Sequence, residues 1–179
     1  MVEQLGGQAK MLRTGSSFLR RYLSQSNGLA AFGGEYAGHY VFNDGRGLGY
    51  DDGLYAALRV LEYLGQSANQ SLSEILAIYP ERFYTEDTYI RTHGIEPKHI
   101  LQEIQAAQHN LEAVLSTIDG VRLDFAYGFG IIRASNTGEF FTIRFDADSP
   151  AHLDKIRQIF SSILSARYPM LAQDILHVH

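Results

Sequence analysis

A chain of 179 residues, with 45% apolar and 20% charged side chains, is long enough for one large domain or two small ones, each with a packed core. A formal net charge of −5, with lysine and arginine scattered rather than striped, argues against a nucleic-acid binder. The absence of cysteine excludes disulfides and thiolate metal sites and fits a cytoplasmic protein, while no apolar run could cross a bilayer and the first ten residues have no signal-peptide core.

In chain order, a helix is predicted over residues 15–28. Ser16 or Ser17 would cap it, Phe18, Leu19, Tyr22 and Leu23 share a face, and Asn27-Gly28 is the stop. Residues 29–33 and 39–42 read as short strands around a glycine-rich loop, and 43–47 as a turn. A second helix follows, capped by Asp51 or Asp52 and ended by Gly65, with Leu54, Ala57, Leu58, Leu61 and Leu64 as its buried stripe. Residues 71–79 suggest a further short helix, and 80–87 a boundary.

Past that boundary, 84–92 reads as a strand and 97–118 as a long helix, with Ile100, Ile104, Ala107, Leu111 and Val114 at helical spacing. Asp119-Gly120 is a turn signal. Three strands with period-two alternation follow: Val121, Leu123 and Phe125 on one face, Phe129 and Ile131 continuing it, then Phe141, Ile143 and Phe145 alternating with Thr142 and Arg144. A last helix starts at Ser149-Pro150 and runs to about residue 166, with Leu153, Ile156, Phe160 and Ile163 inward. The chain thus reads as a mixed α/β and α+β protein. Residues 1–82 are a partial α/β domain with too few strands to stand alone, and 83–179 an antiparallel sheet with two helices on one face.

Two segments carry the chemistry. Gly33-Gly34-Glu35-Tyr36-Ala37-Gly38-His39 places a carboxylate and an imidazole on a glycine-hinged loop. Glu35 can accept from vicinal sugar hydroxyls, and His39 can donate to a hydroxyl or phosphate. The competing reading is a tight hairpin with a solvated glutamate and a packed histidine. Arg133-Ala134-Ser135-Asn136-Thr137 gathers a guanidinium, two hydroxyls and an amide, a set suited to one phosphate. Its competing reading is a polar turn with Asn136 left-handed.

Other groups read more plainly. Arg13-Thr14-Gly15-Ser16-Ser17 could attract an anion at a helix start, but capping explains it. Asp51-Asp52 diverge at a helix start, so they read as caps and imply no metal. His93, His99 and His109 are dispersed, His177 and His179 lie on a terminus expected to be mobile, and all read as solvated. Tyr36, Tyr40, Tyr50 and Tyr55 read as packing rather than a stacking platform.

Taken together, the two loops give the chain a specific likeness. It resembles the C-terminal part of the α-D-phosphohexomutases of the bacterial phosphomannomutase/phosphoglucomutase type. The family's sugar loop, Gly-Glu-Met-Ser-Gly-His, is matched by Gly34-Glu35-Tyr36-Ala37-Gly38-His39, and its Gly-Phe-Asp-Asp motif by Gly49-Tyr50-Asp51-Asp52. Its Arg-Ala-Ser-Asn-Thr phosphate loop is reproduced letter for letter at 133–137. Asp119-Gly120-Val121-Arg122 and Arg144-Phe145-Asp146-Ala147-Asp148 are also family-like.

The resemblance implies sugar-binding positions at Glu35, Ala37 and His39, and a grip on the non-transferred phosphate by Arg133, Ser135, Asn136 and Thr137. It implies the end of the family's third domain followed by its fourth, and a phosphosugar partner exchanged between hexose 1-phosphate and 6-phosphate. It also implies Mg2+ and a hexose 1,6-bisphosphate as cofactors of the full-length enzyme. Ala37 stands where the family usually has Ser, which opens the question of substrate preference, and Ser16 stands where a His is common. The catalytic Thr-Ala-Ser-His-Asn loop and the metal-binding Asp-Gly-Asp-Gly-Asp loop do not occur in this sequence. Without a phosphoryl donor or a metal to neutralise charge, this chain has no catalytic residue of its own, binds no cofactor and is expected to be inactive alone. The alternatives are a stand-alone phosphosugar-binding module, or a module that forms a homodimer through an exposed sheet edge.

Overall fold

The chain divides into two units, Met1–Tyr79 and Pro80–His179, and the computed structural model describes residues 2–67, 70–135 and 138–179. Among the described residues no helix is long and apolar enough to cross a membrane.

In the first unit, helix α1 (Ser16–Gln25) packs on an antiparallel hairpin of β1 (Phe32–Gly34) and β2 (Tyr40–Phe42). Gly33 pairs with Val41, so both face α1, and Leu19, Leu23 and Val41 are buried together. Phe32 and Phe42 pair on the opposite face, where Phe42 meets the edge of Tyr55. Tyr55 belongs to α2 (Gly53–Gln66), and α3 (Leu72–Leu76) follows with a capping box between Ser71 and Glu74.

Three expectations are corrected here. Neither serine caps α1: its N-cap is Gly15, at φ 127°, and no side chain makes the cap bond. Gly65 does not stop α2, because one glycine costs a helix only about 1 kcal/mol. The stripe of α2 is not buried. Leu54, Leu58 and Leu61 are 74%, 54% and 63% exposed, Ala57 is exposed and Leu64 half-buried. A hairpin of two short strands is too narrow to cover a fourteen-residue helix.

The second unit is a six-stranded antiparallel sheet in the order β3-β8-β7-β6-β5, with β4 also on β8. Its strands are β3 (Phe83–Tyr84), β4 (Thr88–Arg91), β5 (Val114–Ser116), β6 (Val121–Phe125), β7 (Gly128–Ala134) and β8 (Phe140–Ala147). Helices α4 (Pro97–Ala107) and α5 (Pro150–Ser165) bury Ile100, Ile104, Ile156, Phe160 and Leu164 against Val121, Leu123, Ile132, Phe141, Ile143 and Phe145. Ser149 caps α5, as its place before Pro150 predicts, by accepting from the His152 N–H.

The expected strand 84–92 is two strands. Between them Thr85 is buried and exchanges two 3.0 Å bonds with the backbone of Phe145. The long helix expected over 97–118 ends at Ala107, a 3-10 turn follows, and Val114–Ser116 is an edge strand on β6. Leu111 and Val114 keep helical spacing by coincidence, while the open backbone groups of β6 claim 114–116. The inward face of β7 is also one residue out of phase. Gly130 and Ile132 are buried, and Phe129 and Ile131 lie on the other face. A two-residue turn pairs Phe125 with Gly128, so odd residues of β6 share a face with even residues of β7.

A final helix, α6 (Pro169–Leu176), was not expected, and the C-terminus is docked rather than mobile. Leu171, Ala172, Ile175 and Val178 are buried, and the Glu86 N–H donates to the His179 carbonyl. His93, expected to be solvated, is paired through Nε2 with Asp174 at 2.6 Å.

Candidate functional site

The loop joining β1 to β2 sets the first half of the site. Glu35 N–H donates to the His39 carbonyl and Gly38 N–H to the Glu35 carbonyl, each at 3.0 Å. Tyr36, Ala37 and Gly38 therefore form a three-residue hairpin loop, and its last position is left-handed (Gly38, φ 86°), which a glycine supplies without strain. Ala37 is exposed in this loop. Glu35 and His39 close the hairpin, with Glu35 Oε1 and His39 Nε2 3.6 Å apart.

Each of these side chains has a second partner. Glu35 Oε2 accepts from the Gly15 N–H at 2.8 Å, tying the hairpin to the start of α1. His39 Nδ1 is hydrogen-bonded to Asp51 Oδ2, and Asp51 Oδ1 accepts from the Tyr40 N–H at 3.2 Å. The result is a line of carboxylate, imidazole and carboxylate. The hairpin of the plainer reading is present, but its side chains are reversed. Glu35 is the sheltered group, 18% exposed, and His39 the open one, at 43%.

On local residues alone, the sequence presents Asp51 as a cap. Asp52 makes the cap, accepting from the Tyr55 N–H at 3.0 Å, which leaves Asp51 to face back along a backbone bridge to Val41. The signal was there in the doubling: two adjacent carboxylates start one helix, and only one can cap it.

The second segment lies at the end of β7. Arg133 Nη1 is 3.3 Å from Asp119 Oδ2, with the arginine side chain 31% exposed and the aspartate 17%. Ser135 closes the β7–β8 hairpin: its N–H donates to the Phe140 carbonyl at 2.9 Å and its Oγ accepts from the Gly138 N–H at 3.1 Å. Asn136 and Thr137 lie outside the described residues. The guanidinium is thus committed on one side to Asp119. Such a partly exposed pair contributes about 0 to 1 kcal/mol, little enough for a dianion to share or displace.

The turn after β2 is held by Asp44. Its carboxylate accepts from the Tyr55 hydroxyl at 2.7 Å and from the N–H groups of Arg46 and Gly47 at 3.0 and 3.1 Å. The Tyr55 hydroxyl first, and then these backbone bonds, hold the Asp44 carboxyl below the usual carboxylate range, against a smaller opposing effect of burial. Phe42, Arg46 and Tyr55 bound a cleft of about 170 Å³ beside it. Among the described residues no group of three or more His, Asp or Glu side chains could hold a metal ion.

A family model described as phosphoglucomutase/phosphomannomutase, alpha/beta/alpha domain III, matches residues 1–83. The chain is 39% identical over 171 residues to a phosphomannomutase/phosphoglucomutase of Pseudomonas putida, covering 96% of this chain and 36% of that protein. It is 36% identical over 167 residues to a phosphoglucomutase of Neisseria gonorrhoeae, covering 92% of this chain and 35% of that protein. A crystal structure of a phosphoglucomutase/phosphomannomutase family protein from Burkholderia thailandensis superposes with a TM-score of 0.80 at 33% identity, over 94% of this chain and 35% of that one. The chain spans about a third of the length of the relatives it matches. It belongs to the phosphoglucomutase/phosphomannomutase family, the α-D-phosphohexomutases, and corresponds to a C-terminal part of its members.

Proposed function

We propose that this chain is the phosphosugar-binding part of a phosphohexomutase that interconverts hexose 1-phosphate and hexose 6-phosphate. Residues 1–82 correspond to the end of the family's third domain and 83–179 to its fourth. Glu35 and His39, with Ala37 between them, read sugar hydroxyls, and Arg133, Ser135, Asn136 and Thr137 take a phosphate.

The observation that carries this reading is the closing pair of the first hairpin. A tight loop holds a sheltered carboxylate beside an open imidazole, an arrangement suited to vicinal hydroxyls. Arg133, partly exposed at the end of β7, supports the phosphate half. The replacement of Ser by Ala at position 37 removes a hydroxyl from the sugar loop, so the preference among glucose, mannose and glucosamine phosphates differs from that of members that keep it.

In the full-length enzyme, Mg2+ and hexose 1,6-bisphosphate serve the transfer step, and the protein acts in the cytoplasm. The isolated chain binds without turning over. A mutase assay with glucose 1-phosphate or mannose 1-phosphate plus bisphosphate activator tests this. No product from the pure chain is expected, and measurable turnover contradicts the reading.

A second reading rests on α2, whose Leu54, Leu58 and Leu61 are exposed, and on the β1 edge of a two-stranded sheet, which carries no further strand among the described residues. Two copies would cover that surface by forming a homodimer through the sheet edge, with no chemistry of their own. Light scattering on the eluting protein decides: a clean monomer at all concentrations removes the dimer.

A further inference from the structure

We propose that Asp51 is a positioning residue for His39. It accepts a hydrogen bond from the Nδ1–H of the ring and so leaves Nε2, on the side of Glu35, as the nitrogen that meets a ligand hydroxyl. The inference deepens the sugar-hydroxyl reading of this hairpin and rests on it for the ligand.

The geometry begins with a carboxylate that has little freedom. Asp51 Oδ1 accepts from the Tyr40 N–H, the Asp51 backbone bridges to fully buried Val41, and the next residue caps α2. Its remaining oxygen, Oδ2, lies against His39 Nδ1. An ionised carboxylate only accepts, so this contact requires a proton on Nδ1 whether the ring is neutral or charged. In the neutral ring Nε2 then carries the lone pair.

That choice matters because of Glu35. Its Oε1 stands 3.6 Å from Nε2, beyond hydrogen-bond distance, and its Oε2 is occupied by Gly15. With Nε2 unprotonated, two acceptors stand side by side and can each take a hydrogen from one of two vicinal hydroxyls. With the opposite tautomer, an Nε2–H would face Glu35 Oε1 and could close onto it, so a sugar would first have to break that bond. In the neutral ring Asp51 removes the second arrangement. The ring is 43% exposed, so the face it offers is within a ligand's reach.

Nitrogen NMR of the histidine rings in the full chain tests this without any ligand. In the neutral ring, the Nδ1 of His39 is expected to show a protonated-type shift and Nε2 an unprotonated one. In Asp51→Asn, the amide oxygen can still accept from Tyr40 while the amide NH2 turns to Nδ1. The two nitrogens then exchange roles, and affinity for glucose 1-phosphate falls about tenfold, the size of one hydrogen bond. A wild-type neutral ring protonated at Nε2 overturns the proposal, as does an Asn variant that folds with both nitrogen shifts unchanged. The wild-type spectrum decides by itself if the variant does not fold. Should the nitrogens behave as stated but ignore saturating glucose 1-phosphate, the role of Asp51 stands and the sugar-binding reading fails.

Discussion

Gly120 approaches Ile132 so closely that a Cβ on the glycine would stand 2.3 Å from the isoleucine carbonyl oxygen and 2.6 Å from the Cβ of Arg133. Its backbone is also left-handed, at φ 75°. The turn that carries Asp119 is thereby pressed against the strand that carries Arg133. Gly120→Ala combines a backbone conformation that alanine resists with a clash against main chain, which cannot rotate away. It is expected to destabilise the second unit by about 2 kcal/mol or more. Urea unfolding followed by circular dichroism checks this, and an unchanged midpoint would contradict the packing described.

Gly33→Ala is predicted to act on the first unit alone. A Cβ there would meet Leu19 Cδ1 at 2.2 Å, and Leu19 is one of three buried residues holding α1 to the hairpin. Overpacking of this kind costs about 1 to 3 kcal/mol. Because the neighbour is a side chain, α1 can shift rather than unfold outright. The Phe32 and Tyr40 ring signals in proton NMR should move, while those of Phe141 and Phe160 stay in place.

Acid should loosen the turn after β2. The folded Asp44 carboxyl lies below its ordinary range because it accepts from Tyr55 and two backbone N–H groups. A depressed carboxyl gives stability that is present above the ordinary aspartate range and is lost as the pH falls through the folded value. Tyr55→Phe removes the largest of those bonds. The variant is therefore expected to be less stable than wild type at pH 7, with the difference shrinking towards pH 3. Thermal unfolding of both proteins across that range checks the sign; a difference that grows in acid would contradict it.

Hydrogen exchange should separate the two units. Leu19, Leu23 and Val41 make a small core, whereas α4, α5 and α6 bury a continuous apolar layer on the six-stranded sheet. Amides of β6, β7 and β8 are predicted to exchange slowest, and those of α2 among the fastest, since that helix has no buried residue. Better protection over residues 29–64 than over β6 to β8 would contradict this.

What the sequence made legible follows from how local each signal is. Ser149-Pro150 marked the start of α5, and the alternation of Phe141, Ile143 and Phe145 marked the core face of β8, because both depend on neighbours in the chain. Val114 was misread because its surroundings are set by β6, an element that follows it in sequence and supplies the backbone partner. Phe129 was placed on the wrong face because the phase depends on the turn length, not on either strand. The same distinction holds at the site. Glu35 and His39 stood out inside one glycine-rich loop, but Asp51 lies twelve residues past His39 and its role needed the hairpin to fold back. α6 was missed for a similar reason: its burial comes from α5 and β4, which its own short pattern does not announce.

The central claim is that this chain holds a hexose phosphate through the guanidinium at the end of β7. Calorimetric titration of glucose 1-phosphate and mannose 1-phosphate into the wild-type chain and into Arg133→Ala measures it most directly. The account predicts saturable binding to wild type that weakens with added salt and is lost in the variant. No heat with either phosphosugar, or equal affinity in the two proteins, would contradict it.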